Sequence, residues 1–319
     1  MCFLMTGSFA MAAASPSTAW TDVAIIGAGA VGHVMAHRFV QCGYAVAAVL
    51  SRRHEPAAAL AQAVGAPVGS EDLADLPFQV PFVLLCVPDD VIASVARHLA
   101  ALERPWEAVT VAHTSGAHTA EQLAPLADRG ASTLSMHPMQ TFTMESGPPA
   151  LDGIYFGLEG DTEAVAQAMQ LVRDLGAQAM TVPTAAKTRY HLAGVLASNG
   201  LVALMGLVNE VLASAGLDPD DSGAFMEPLI MSTWANLVAA SPEDALTGPV
   251  ARGDLGTVVA HLDTLATHLP HLLPAYAALS NEMVRLAVRR GQLPAAHAEP
   301  LLDALHDALQ PNDDSVHWP

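Results

Sequence analysis

The segment Gly27-Ala28-Gly29-Ala30-Val31-Gly32 lies between a short apolar run, 22–27, and a stretch of helical periodicity, 30–42. A lone GxGxxG pattern is weak, but after a strand and at the opening of a helix it forms the first βα turn of a dinucleotide-binding sheet. The first glycine makes the tight turn, the second lets the backbone approach a pyrophosphate, and the third lets helix and strand pack closely. The helix N-terminus then faces the negative charge. Gly27, Gly29 and Gly32, with Ala30 and Val31 at the helix start, are therefore expected cofactor contacts. The plain alternative is a glycine-rich turn with no ligand.

The surrounding pattern agrees. Apolar runs at 45–50, 80–87, 109–113 and 131–136 alternate with helical stretches at 55–64, 90–103 and 118–129. Short, uniformly apolar runs mark parallel strands covered on both faces. The alternation predicts an α/β fold, a doubly wound, mostly parallel Rossmann sheet. Two more strands are expected at 153–158 and 177–182, around a helix at 162–175. After Pro183 the pattern is helical throughout, with candidates at 185–215, 222–239, 242–247, 254–267, 271–290 and 294–308. The reading is a disordered extension (1–20), a Rossmann domain (21–183), an all-α domain for substrate and dimerisation (184–310) and a flexible tail (311–319). The late helices are apolar over more than one face, so a homodimer through this domain is expected.

Composition excludes some partners. The net charge is −19 and the pI about 4.9, against a nucleic-acid partner and against anionic membrane surfaces. The three cysteines lack paired spacing, and the first twenty residues contain no Lys or Arg. A cytoplasmic protein without a secretory signal is expected. Residues 192–208 are uncharged but include Ser198, Asn199 and three glycines. They read as a helix buried inside a protein, at the short edge of a membrane span.

The end of the second strand selects the cofactor. NAD sites place Asp or Glu there for the ribose 2′-hydroxyl. Here the chain reads Leu50-Ser51-Arg52-Arg53, which suits a 2′-phosphate held by charge-assisted hydrogen bonds. NADP(H) is the expected cofactor. Ligands of open α/β sheets bind outside the carboxyl ends of the strands. Val87 at the end of the 80–87 run, Pro88 just after it and Thr114 after the 109–113 run are expected to line the cofactor site. Asp89 reads as a helix N-cap. Ser115 in the HTSGA loop and His137 and Gln140 in the MHPMQTF loop would flank the nicotinamide. No third ligand joins the histidines of HTSGAH, so no metal is expected.

In the 187–199 stretch, Lys187, Tyr190, His191, Gly194 and Ser198 share one helical face, with Asn199 at its edge. A lysine and a histidine on a mostly apolar helix are costly in a plain core and suit a cleft. Lys187 is the single lysine among thirteen basic residues, the other twelve being arginine. Lys187, His191, Ser115 and Asn199 are the candidate catalytic set, and His137, Gln140, Tyr190 and Arg252 the candidate substrate contacts. Arg252 lies in a polar loop, Thr247–Asp254, where it could hold an anion or form a structural ion pair. Asp254 is expected to cap the next helix.

Taken together, GAGAVG, SRR, HTSGA, MHPMQTF, KTRYHLAGVLASN and ALTGPVARGD resemble one bacterial family over residues 21–290. These are Rossmann-like proteins whose C-terminal half is the domain of unknown function 2520. The wider group it is similar to includes pyrroline-5-carboxylate reductase, ketopantoate reductase and the 6-phosphogluconate dehydrogenase-like β-hydroxyacid dehydrogenases. That resemblance implies NADPH, hydride transfer, a helical second domain and dimerisation through it. β-Hydroxyacid dehydrogenases carry a lysine and an asparagine one turn apart on the first interdomain helix. Lys187 matches the lysine, while His191 stands where the asparagine would be. The expected function is NADP-dependent hydride transfer to or from a small C=O, C–OH or C=N substrate in an interdomain cleft. The rivals are a non-catalytic NADP(H) sensor or scaffold and an NADPH-dependent reductase of a flavin or deazaflavin.

Overall fold

The computed structural model describes residues 18–218 and 222–310. It divides into two compact units, one continuing to Asn199 and the other starting at Gly200.

The first unit holds β1 (Asp22–Ile26), α1 (Ala30–Gln41), β2 (Ala45–Leu50), α2 (His54–Val64), β3 (Val68–Ser70), β4 (Phe82–Leu85) and α3 (Ile92–Ala100). Then come β5 (Thr110–His113), α4 (Ala124–Ala127), β6 (Ser132–Pro138), β7 (Tyr155–Gly160), α5 (Thr162–Asp174), β8 (Gln178–Thr181) and α6 (Lys187–Ala197). The strands form one sheet in the order β3-β2-β1-β4-β5-β6-β7-β8. All neighbours are parallel except β6 and β7. The chain passes from β6 to β7 through a loop holding only a 3₁₀ turn, Pro148–Leu151, instead of a crossover helix, and antiparallel pairing needs no more than that. Strand alternation feeds a core on each face. Val23, Ile25, Phe82 and Leu84 enter one, and Ala24, Ile26, Val83 and Leu85 the other.

Several expectations need correction. Residues 18–20 are not part of an extension: Trp20 is buried and stacked on Phe82 with centroids 4.5 Å apart. Such a ring pair is worth about 0.5–1.5 kcal/mol beyond its buried area. Residues 1–17 and the tail, 311–319, lie outside the described residues. Strand β3 escapes pattern reading because it is three residues long and carries Gly69. A Cβ on Gly69 would come within 2.8 Å of Ala58 Cα, so glycine is what lets α2 pack there. The expected helix at 118–129 is a 3₁₀ turn, Ala120–Leu123, followed by the short α4.

The second unit contains the rest of α7 (Asn199–Ser214), then α8 (Ser222–Ala239), α9 (Pro242–Ala245), α10 (Pro249–Arg252), α11 (Leu255–His268), α12 (Leu273–Arg289) and α13 (Ala295–Asp307). The expected single helix at 185–215 breaks at Ser198, where α6 ends and α7 begins. The polar loop Thr247–Asp254 contains α10, ended by Gly253 in the left-handed region. Asp254 caps α11 as expected, its carboxylate accepting from Thr257 N at 3.1 Å. Val250, Val258, Leu262, Val284, Leu301 and Leu305 form the core of this unit.

The expectation that 192–208 is buried within the chain is not met. No described residue of α7 is buried, and Val202 is 71% exposed. On α8, Phe225, Leu229, Trp234 and Val238 are exposed as well. The stretch Thr184–Ser214 is long and apolar enough to cross a membrane by length and composition.

Candidate active site

The glycine turn is built as its sequence requires. Gly27 has φ 115°, and a Cβ there would lie 2.1 Å from Cys86 O on the neighbouring chain segment. A Cβ on Gly32 would lie 1.9 Å from Gly27 O, so α1 sits directly on the turn. Nothing stands within 4 Å of a Cβ at Gly29, which leaves that side of the backbone open. Gly29 is the N-cap of α1, and the amides of the first helical turn have no partners inside the helix.

Beside the turn lies a groove of about 560 Å³. Gly27, Gly29, Ser51, Arg52, Arg53, Val87 and Pro88 line it, all of them expected cofactor contacts. The groove therefore combines an open backbone at Gly29 with two guanidinium groups at the end of β2. This donor set fits a dinucleotide carrying an extra phosphate. Ala30, Val31, Gly32 and Thr114, also expected contacts, do not line it. Glu71 and His98 do, and the sequence reading did not name them.

A second feature lies farther along the sheet. His113 pairs with Ser135 across β5 and β6, and Ser135 pairs with Glu159 across β6 and β7. These three buried polar residues form a row through apolar strands. His137 and Gly157 are opposite each other two residues along, on the same face. Helix α6 lies over this face. Thr184 Oγ1, just before it, donates to Glu159 Oε1 at 2.9 Å. Lys187 Nζ donates to Ser135 Oγ at 2.6 Å, and Ser135 Oγ donates to Ser115 O at 3.0 Å. Tyr190 Oη and His137 Nδ1 are 3.0 Å apart.

Three glycines make room for this docking. A Cβ on Gly157 would meet Tyr190 Oη at 2.5 Å, one on Gly116 would meet His191 Nδ1 at 2.5 Å, and one on Gly194 would meet Met139 Sδ at 2.9 Å. The polar stripe read from the sequence is thus the docking face of α6. This is why the first compact unit continues past Pro183, where the sequence pattern changes, to Asn199.

Burial shapes the protonation states. Desolvation pushes Lys187 down to about 8, with Glu159 and Asp89 pulling the other way. The residue is only 1% exposed. Desolvation, followed by the Lys187 charge, pushes His137 down to about 4, and burial pushes Tyr190 up to about 12. At neutral pH the cluster therefore holds a charged amine beside a neutral imidazole and a protonated phenol.

His113 is neutral for the same reason, desolvation taking it to about 4. Its Nδ1 accepts from Ser115 N at 3.1 Å, so Nε2 carries the hydrogen and donates to Thr119 O at 3.0 Å. The folded pKa is below the ordinary value near 6.5. The unfolded chain then binds more protons between those pH values, and stability falls as pH drops through that window. At 1.36 kcal/mol per unit the loss approaches about 3 kcal/mol by pH 4. Wild type is expected to exceed His113→Gln in stability at pH 7, with the margin shrinking towards pH 4 in urea titrations. A margin constant across that range would contradict a buried neutral ring.

The structure brings Ser115, His137, Tyr190, Lys187 and His191 together in one unit. Ser115 Oγ is already engaged, donating to Asp89 Oδ2 at 2.8 Å and accepting from His118 N at 3.0 Å. This corrects the reading of Asp89 as an N-cap: its carboxylate holds the HTSGA loop. Gln140 is exposed and folds back on Thr141 N at 2.8 Å. Asn199 is exposed at the start of α7, and Arg252 is exposed at the end of α10 in the second unit. The sequence pattern does not single out Ser135, on β6, or Glu159, near the end of β7.

Residues 11–138 match the Rossmann-like domain, and residues 154–283 match the domain of unknown function DUF2520. The chain thus joins a Rossmann-like domain to a DUF2520 domain. No protein of curated function matches its sequence. Among solved structures, this DUF2520 protein is similar to a candidate NADP oxidoreductase from Bacteroides fragilis. The two share 26% identity with a TM-score of 0.68, over 83% of this chain and 98% of that one. An imine reductase from Pseudomonas sp. shares the fold at 20% identity and TM-score 0.56, over 90% and 93% of the two chains. A pyrroline-5-carboxylate reductase from Coxiella burnetii does so at 13% and 0.54, over 91% and 97%.

Proposed function

We propose that the protein is an NADP(H)-dependent oxidoreductase acting on a small carbonyl, alcohol or imine substrate. One observation carries this reading. Pro88 and Asp90 line the groove, while Asp89 between them holds Ser115 of the Lys187 cluster. The groove and the titratable cluster therefore meet at the loop after β4, on the carboxyl edge of the sheet. The names of the Bacteroides and Pseudomonas proteins, an NADP oxidoreductase candidate and an imine reductase, support the same class.

Bound in the groove, a nicotinamide cofactor supplies or accepts the hydride. Gly29 and the start of α1 would hold its pyrophosphate, and Ser51, Arg52 and Arg53 would hold its 2′-phosphate. Lys187 holds the proton. With a pKa near 8 it can give or take one close to neutral pH. Its amine is nearly closed to solvent, and its proton is held against Ser135 Oγ at 2.6 Å. The test is an NADPH-absorbance screen over small keto acids, hydroxy acids and cyclic imines. Turnover of one class supports the reading. Tight NADPH binding with no turnover across all of them would leave a binding protein instead.

A homodimer belongs to the same proposal. Helix α7 has 16 residues, about 24 Å of helix against about 30 Å of bilayer hydrocarbon. The preceding α6 breaks from it at Ser198 and is tied to the sheet through Lys187 and Tyr190. A second copy covers the exposed side chains of α7 and α8 better. A dimeric mass by light scattering at micromolar concentration is expected, and a monomer would contradict it.

A further inference from the structure

The end of β2 lacks the carboxylate of an NAD site, but the fold brings one to the same groove from the neighbouring strand. Glu71 follows β3 and lines the groove together with Ser51, Arg52 and Arg53. Its Oε2 accepts from the backbone N–H of His54, the first residue of α2, at 3.1 Å. The segment 71–75 contains two other carboxylates, and both are used locally. Asp72 accepts from Ala74 N at 2.9 Å, and Asp75 accepts from Ser70 Oγ. Glu71 alone reaches across to the residues that follow β2.

We infer that Glu71 is a specificity-determining residue that limits the preference for NADP(H) over NAD(H). This rests on the cofactor reading proposed above. A 2′-phosphate among Ser51, Arg52 and Arg53 would share the groove with the Glu71 carboxylate, which is held beside them by the His54 amide. The two anions repel, and the carboxylate already occupies the His54 amide. A ribose bearing a free 2′-hydroxyl meets no such repulsion and can donate to a carboxylate. Glu71 therefore opposes NADP(H) and tolerates NAD(H), while the arginines favour NADP(H).

The experiment is Glu71→Gln, which keeps the length and an acceptor oxygen for His54 N–H while removing the charge. NADPH and NADH are titrated into wild type and variant by calorimetry, with melting curves to confirm folding. The expected result is NADPH binding tightened about five- to tenfold, as for relief of a like charge a few ångströms away near a surface, with NADH unchanged or weaker. If wild type binds NADPH and the variant has the same NADPH-to-NADH ratio, the role of Glu71 is overturned and the cofactor reading stands. If the variant binds NADPH more weakly, Glu71 orders the arginines instead, and the proposal is likewise overturned. If wild type binds neither cofactor, both readings fall.

Discussion

Lys187→Arg is expected to lower kcat by about 10²-fold or more while NADPH affinity stays intact, because a proton donor is replaced by a group that keeps its proton. Arginine preserves the charge and the electrostatics of the cluster. Lysine differs in being a compact ammonium whose pKa burial can lower, and here desolvation takes it to about 8. In the reductive direction the amine must be protonated, so the rate should fall as pH rises through about 8 in wild type. That inflection should disappear in the variant. The wider guanidinium must also fit against Ser135, so a melting curve accompanies the kinetics. Lys187→Met, which removes the charge and fills similar space, provides a second variant. Full activity in a folded Lys187→Arg protein would make Lys187 a docking cation for α6 and nothing more.

Arg52→Ala is expected to weaken NADPH by about 1.5–3 kcal/mol, roughly 10- to 150-fold, and to leave NADH nearly unchanged. Arg52 lines the groove with Ser51 and Arg53 at the end of β2. A charged hydrogen bond to a 2′-phosphate is lost in the variant, whereas a 2′-hydroxyl never made it. Equal losses for both cofactors, read by fluorescence titration, would place Arg52 on the shared part of the dinucleotide or in the fold.

The legible parts of this protein share a physical signature. Parallel strands buried on both faces are uniformly apolar, so β1, β2, β4, β5 and β6 stand out. The glycine turn is legible because Gly27 and Gly32 have no steric alternative. The stripe from Lys187 to Gly194 is legible because polar groups on an apolar helix need partners. What was missed follows the same logic. Ser135 is one of several polar residues in β6 and Glu159 stands near the end of β7, and only the register of β5, β6 and β7 places them in one row with His113. Glu71 belongs to an acidic segment whose members look equivalent in sequence, and the fold alone separates it from Asp72 and Asp75. The break at Ser198 was hidden because the apolar pattern runs straight through it. Trp20 reads as part of an extension because small apolar residues precede it, while its stacking partner, Phe82, is distant in sequence.

The central claim is that the groove beside Gly29 takes a 2′-phosphorylated nicotinamide dinucleotide. The most direct measurement is titration calorimetry of the purified wild-type chain with NADPH and with NADH at the same ionic strength. The account predicts one NADPH bound per chain, more tightly than NADH. Equal affinity for the two cofactors, or binding of neither, would contradict it.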